Sequence, residues 1–163
     1  MRVKSLLVFL FAVALAATAA AQTKTSGTVT CKPDPASPPP VVLTDKPNHS
    51  FAVGRAQCTW TKFEVAGLQS KDGISTDLDE ITGDTISVSG YHVATMSNGD
   101  TTAVKYQGSG KLKDGKPVSG EGTWSYTSGT GKLKGIKGKG TYKGAANADG
   151  SVTYQVDGEY SLP

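Results

Sequence analysis

The chain has 163 residues, with 20 Gly, 8 Pro, 2 Cys and 2 His, 37% hydrophobic and 19% charged residues, and a formal net charge of +3. That length allows one ordinary domain. A glycine content near twice the ~7% average, without a collagen-like triplet, points to many tight turns and excludes a fibre.

The first 21 residues read as a secretory signal peptide: Arg2 and Lys4 give a positive start, Leu6 to Ala17 is an unbroken apolar run, and Ala19-Ala20-Ala21 supplies small residues before Gln22. The run is 12 residues long, short of the ~20 that a membrane-spanning helix needs. No later stretch is apolar enough, and Cys31 comes too late for a lipid-anchored start. The expectation is an exported chain, periplasmic or extracellular, with no transmembrane anchor after cleavage. Cleavage also removes Arg2 and Lys4, so 17 basic residues become 15 against 14 acids and the net charge falls to +1. Overall basicity therefore gives no reason to expect specific nucleic-acid binding.

Gly27 to Cys31 is a β-branched run and predicts a first strand. Pro33 to Pro47 holds six of the eight prolines, including Pro38-Pro39-Pro40; it cannot join a ladder and is expected as an extended surface loop. Residues 22–50 are thus read as strand and loop belonging to a barrel whose core is 51–163. Cys31 and Cys58 bracket this loop. In an exported protein a disulfide between them is the favoured reading over two free buried thiols, and its closure over 27 residues would remove ~3 to 4 kcal/mol of unfolded-state entropy.

From Phe51 onward strand follows turn with hardly a helical period. Phe51 to Val65 changes phase around Arg55 to Thr61, which predicts a bulge or corner. Ile74 to Thr82 and Thr85 to Met96 follow. Asn98-Gly99-Asp100 and Asp114-Gly115 are hairpin turns flanking Thr101 to Lys113. Val118 to Tyr126, Gly138 to Lys143 and Ser151 to Tyr160 complete about eight strands, the spacing of an antiparallel sandwich or barrel.

The last strands separate their faces. Val152, Tyr154, Val156, Gly158 and Tyr160 oppose Thr153, Gln155, Asp157 and Glu159; Val118, Gly120, Gly122, Trp124 and Tyr126 oppose Ser119, Glu121, Thr123 and Ser125. Glycines interleaved with aromatics on the buried face fit a strongly curved sheet, hence a closed barrel over a flat sandwich. A repeat of about 21 residues relates Gly108–Lys113 to Gly129–Lys134 and Gly120–Trp124 to Gly138–Tyr142; two copies are read as consecutive hairpin units of one meander.

Charge is sorted along the chain. Seven acids and one Lys lie between Glu64 and Asp100, and eight Lys and two acids between Lys111 and Lys143. Solvated outward faces are the preferred reading, with attraction between neighbouring strands or a polyanion-facing patch at Lys132, Lys134, Lys137 and Lys139 as alternatives.

The segment Gly129-Thr130-Gly131-Lys132-Leu133-Lys134-Gly135-Ile136-Lys137-Gly138-Lys139-Gly140-Thr141-Tyr142 lacks the Ser or Thr, the spacing and the helix of a phosphate loop, and the helix and acid of a dinucleotide fingerprint. It resembles the glycine-rich signature of the allene oxide cyclase and dirigent proteins, and the chain is most similar to small exported bacterial proteins of that pattern. In that superfamily the segment is a turn entering a late strand of an eight-stranded, calycin-like antiparallel barrel. The resemblance implies an isomerase or a stereochemical guide acting on an apolar substrate in the barrel, with the motif glycines Gly129, Gly131, Gly135, Gly138 and Gly140 serving backbone geometry.

His92 shares a face with Val88, Gly90, Ala94 and Met96 and is a candidate barrel-lining residue beside Tyr106 or Tyr154, with Trp124 on the same interior. Against an acid–base role for His92 stand a satisfied core histidine and an outward-turned one. Glu121, Asp157 and Glu159 fall on polar faces and read as solvated carboxylates. His49 and His92 share no ligand motif with other residues, so no metal and no cofactor is expected. Two functions follow: an exported non-enzymatic barrel that binds a small apolar ligand or serves a structural role in the envelope, and a cofactor-free isomerase. The oligomeric state is left unassigned.

Overall fold

The computed structural model describes residues 22–163; the expected signal peptide lies outside them. Ten strands follow in chain order: β1 (Thr23–Pro33), β2 (Val41–Leu43), β3 (His49–Thr61), β4 (Glu64–Val65), β5 (Leu68–Thr82), β6 (Thr85–Met96), β7 (Thr101–Lys113), β8 (Lys116–Gly129), β9 (Lys137–Ala146) and β10 (Val152–Ser161). A single 3-10 turn, Gly131–Leu133, separates β8 from β9. The order β3-β1-β10-β9-β8-β7-β6-β5, closed by pairing of β3 with β5, makes an eight-stranded antiparallel barrel. Closure leaves the eight main strands without a free edge. The short β2 and β4 are appended to β3 and β5.

The hairpin signals act as the backbone requires. Asp114 and Gly115 take φ of 51° and 72°, the two left-handed residues of a type I′ turn. Asn98 Oδ1 accepts the Asp100 N–H at 3.0 Å. Cys31 and Cys58 are opposite each other in the β1–β3 ladder and are joined by a disulfide.

Several expectations are corrected. The phase change at Arg55 to Thr61 is no bulge: β3 pairs with β5 without interruption from His49 to Thr59, and the corner falls at Lys62, whose φ is +61°. Alternation is kept because Val53 faces out, 50% exposed, while Cys58 faces in. Register shifts occur instead at Ser70/Gly73, Ala103/Val104 and Lys111/Leu112. The last leaves Val118 as the extra residue of a bulge, so it is exposed and not on the buried face. The repeat does not generate two equal hairpins: Gly108–Lys113 ends a strand, whereas Gly129–Lys134 leaves β8 and forms the 3-10 turn. The proline segment carries a short paired stretch, because Val41–Leu43 follows Pro40 directly and pairs with Phe51–His49.

The two barrel ends differ. One end holds the β3–β5, β6–β7 and β8–β9 connections, and there Phe63, Val65, Leu68, Met96, Leu133 and Ile136 form a closed apolar plug. Leu133, Met96 and Val65 are among the largest fully buried side chains. Gly131, with φ +52°, permits the tight turn that delivers Leu133 to the plug, and the Asp100 carboxylate occupies the space where its Cβ would be. The other end carries the β1–β3 proline segment and the β5–β6, β7–β8 and β9–β10 turns.

The interior glycines are sockets for rings. Trp124 lies over Gly140 and Gly158, the Tyr142 hydroxyl over Gly108 and Gly122, and Tyr154 over Gly144, each where a side chain would collide. Among the described residues no helix is long and apolar enough to cross a membrane.

Candidate functional site

Side chains do not fill the barrel. Above the plug lies a cavity of about 410 Å³, which reaches Pro38, Gly115 and Pro117 at the opposite end. Ile81, Ile86, Val88 and Leu112 make its outer part apolar, and a volume of this order suits one small ligand.

The candidate lining residues Tyr106, Trp124, Tyr154 and His92 all border this cavity. Tyr106, Tyr142 and Tyr154 run across it as an edge-to-face series, with ring centroids 6.0 and 5.6 Å apart. Burial holds the Tyr142 phenol well above its usual range and pushes Tyr154 up to about 12, with Asp77 and Asp79 adding to both shifts. These phenols are neutral at physiological pH.

His92 meets neither Tyr106 nor Tyr154 in a hydrogen bond. The Trp60 indole N–H donates to His92 Nε2 at 3.0 Å, and His92 Nδ1 is 3.0 Å from Ser75 Oγ. An indole can only donate, so Nε2 must accept and the proton sits on Nδ1. Ser75 in turn faces Cys58 Sγ at 3.5 Å. Burial lowers the His92 pKa to about 4. The imidazole is neutral, with both nitrogens engaged, and its lone pair is not free to take a proton from a ligand.

The chemistry lies one strand away, on residues not singled out from the sequence. Ser75, Asp77, Asp79 and Ile81 of β5 line the cavity, while Ile74 and Leu78 face solvent, 40% and 54% exposed. Asp77 and Asp79 are therefore not the solvated outward residues expected, whereas Asp72 and Glu80 of the same strand are exposed. Both Asp77 Oδ2 and Asp79 Oδ2 lie 3.3 Å from the point where a side chain on Gly54 would begin, which seats the two carboxyls over one glycine. Asp77 Oδ1 and the Tyr106 hydroxyl both lie over Gly90. Asp77 Oδ1, Asp79 Oδ1, Tyr142 Oη and Trp124 Nε1 are sealed from solvent without a hydrogen-bond partner. Burial, followed by the Asp79 charge, pushes Asp77 up to about 7; burial pushes Asp79 up to about 6.

The other sequence candidates lie elsewhere. Glu121 is exposed, 3.7 Å from Lys143 Nζ, and Asp157 is exposed and borders a separate open depression that Lys24, Lys105 and Lys139 also line. Glu159 borders the same depression. Lys132, Lys134, Lys137 and Lys139 are exposed. Gly129, Gly131 and Gly135 shape the turn that ends in the plug, and Gly138 and Gly140 lie in β9, the latter beneath Trp124. His49 sits between Asp45 Oδ1 at 2.6 Å and Glu80 Oε1 at 3.0 Å, tying the end of the proline segment to β5. The Asp45 hydrogen bond in particular raises its pKa. Among the described residues no three ligating side chains come together as a metal site.

The closed eight-stranded antiparallel barrel with an interior cavity is a fold that dirigent proteins share. Among solved structures it is similar to a protein of unknown function from the DUF3224 family of Shewanella oneidensis MR-1, with a TM-score of 0.52 and 16% identity over 88% of this chain and 99% of that one. It is also similar to the pterocarpan synthase dirigent protein GePTS1, with a TM-score of 0.50 and 13% identity over 98% of this chain and 100% of that one. At these identities the likeness is one of fold. The sequence matches no family model and no curated protein.

Proposed function

We propose that the chain is an exported, non-enzymatic barrel that takes one small, largely apolar molecule with a polar head into its interior. The observation that carries this reading is the coincidence of a ligand-sized cavity with four unpartnered polar atoms, all on residues that line it: Asp77, Asp79, Trp124 and Tyr142. Such atoms cost ~1 to 3 kcal/mol each when left unsatisfied, and a ligand head would offset that cost. Export is supported by the leader pattern of residues 1–21 and by the disulfide.

Native mass spectrometry of the protein purified from its own host tests the reading. A one-to-one adduct is expected, and Val88→Trp, which fills the apolar part of the cavity, should abolish it. Bare protein in both preparations would count against ligand binding and favour a structural role.

A second reading, a cofactor-free isomerase or dirigent-like protein, is favoured by Asp77. A carboxyl with a pKa of about 7 beside a tyrosine hydroxyl is suited to acid–base work near neutrality. In that case Asp77→Asn would keep the ligand and lose turnover.

A further inference from the structure

We propose that the cavity selects an organic cation: a small amine with an aromatic or apolar body, its ammonium seated between Asp77 and Asp79. This rests on the reading of the cavity as a ligand site and names the chemical class of its occupant.

Two acidic side chains enter one cavity, and the wall supplies no cation to either. Neither Asp77 nor Asp79 takes part in an ion pair among the described residues. Arg55 also borders the cavity and pairs with Thr76 in the β3–β5 ladder, but its side chain is 56% exposed and its Nε is 4.0 Å from Asp34 Oδ2, so it is turned to the outside and not to Asp77 or Asp79. His92 is neutral and its nitrogens are engaged by Trp60 and Ser75. A buried carboxyl without a cation beside it is stable only when protonated, so a charged partner for its ionised form has to come with the ligand.

The remaining wall fits such a partner. The rings of Tyr106, Tyr142 and Tyr154 border the same cavity, and aromatic faces attract an ammonium group. Trp124, only 6% exposed, borders the cavity with an unpartnered indole N–H; as a donor it suits an acceptor on the ligand body. Near neutral pH the raised pKa values leave the pair with between one and two negative charges and no cation beside it, so the ligand charge that offsets it is positive. A metal ion is poorly served, since among the described residues no third ligating side chain joins the pair.

The test is calorimetric titration of the full mature chain at pH 7.5 with phenethylamine, 2-phenylethanol and phenylacetate, which share a ring and differ in head-group charge. The amine should bind at least tenfold tighter than the alcohol, and phenylacetate should not bind. In Asp77→Asn/Asp79→Asn, a near-isosteric pair that removes buried charge and so should fold, the preference for the amine over the alcohol should vanish. If the alcohol or phenylacetate binds the wild type as tightly as the amine, and Val88→Trp blocks it, the cation proposal fails while the ligand cavity stands. If none of the three binds, both fail.

Discussion

The two halves of the barrel interior solve the same packing problem with different chemistry. At the plugged end, Phe63, Val65, Leu68, Met96, Leu133 and Ile136 close the barrel, and the buried hydroxyls among them, those of Thr25, Ser70 and Tyr160, each have a partner. Toward the loop end the wall carries Asp77, Asp79 and three tyrosines around open space. A barrel built only for stability would extend the plug through its whole length, because apolar filling avoids the cost of burying carboxyls. The contrast indicates that the closed half supports the open one. It also predicts that substitutions will separate into those that unfold the protein and those that change only what the cavity does.

The largest effect should come from the covalent tie between β1 and β3. Replacing both Cys31 and Cys58 by Ser should lower unfolding stability by about 3 to 4 kcal/mol, measured by denaturant melts. Next is the plug. Leu133→Ala removes a side chain of 0% exposure and should cost about 3 kcal/mol. Occupancy of the cavity by folded protein should be little changed.

In the open half the sign reverses. The folded-state pKa of Asp77 lies above its ordinary 3.8, at about 7, so the folded protein holds that proton more tightly than the unfolded chain. Its stabilising contribution is fully present below about pH 4 and is lost as pH rises through about 7. Asp77→Asn should therefore stabilise the protein at pH 8, on the order of 2 kcal/mol, and the gain should fade on acidification toward pH 4. Melts at both pH values check this, and equal effects at the two would show that the carboxyl is solvated.

Trp60→Phe, at the boundary between the halves, removes the indole N–H that donates to His92 Nε2. It should cost about 1 kcal/mol by the same melts. The smallest effect is expected on the outer surface. Reversing the charges of Lys132, Lys134, Lys137 and Lys139 together should change stability by under about 1 kcal/mol and leave the cavity untouched. Salt-sensitive retention on an anionic matrix that disappears in this variant would instead revive the polyanion reading.

The strand count and closure are legible in the sequence because turn chemistry is local. Asn98-Gly99-Asp100 and Asp114-Gly115 mark hairpins whatever surrounds them, and the glycine–aromatic alternation around Trp124 and Tyr154 announces a curved interior. The carboxyl pair is not legible in the same way. Period-two alternation says that Asp77 and Asp79 share a face but not which face is inside. In β5 the apolar Ile74 and Leu78 make the wrong face look buried. What seats the acids is Gly54 and Gly90, opposite Asp77 in the two neighbouring strands. They lie 23 residues before and 13 after Asp77 in sequence, so only the register reveals them. Likewise, the alternation places His92 on an interior face, but its partner Trp60 lies on β3, on the far side of β5, and only the fold shows that both ring nitrogens are occupied.

The most direct test of the central claim, that two desolvated carboxyls line an interior ligand cavity, is a carbon-detected NMR titration of the aspartate side chains. Asp77 and Asp79 should titrate as a pair with apparent pKa values of about 7 and about 6, while Asp100, held down chiefly by the Asn98 side chain, titrates below 3.8. Values near 4 for both Asp77 and Asp79 would mean that water reaches them freely, and would contradict the account.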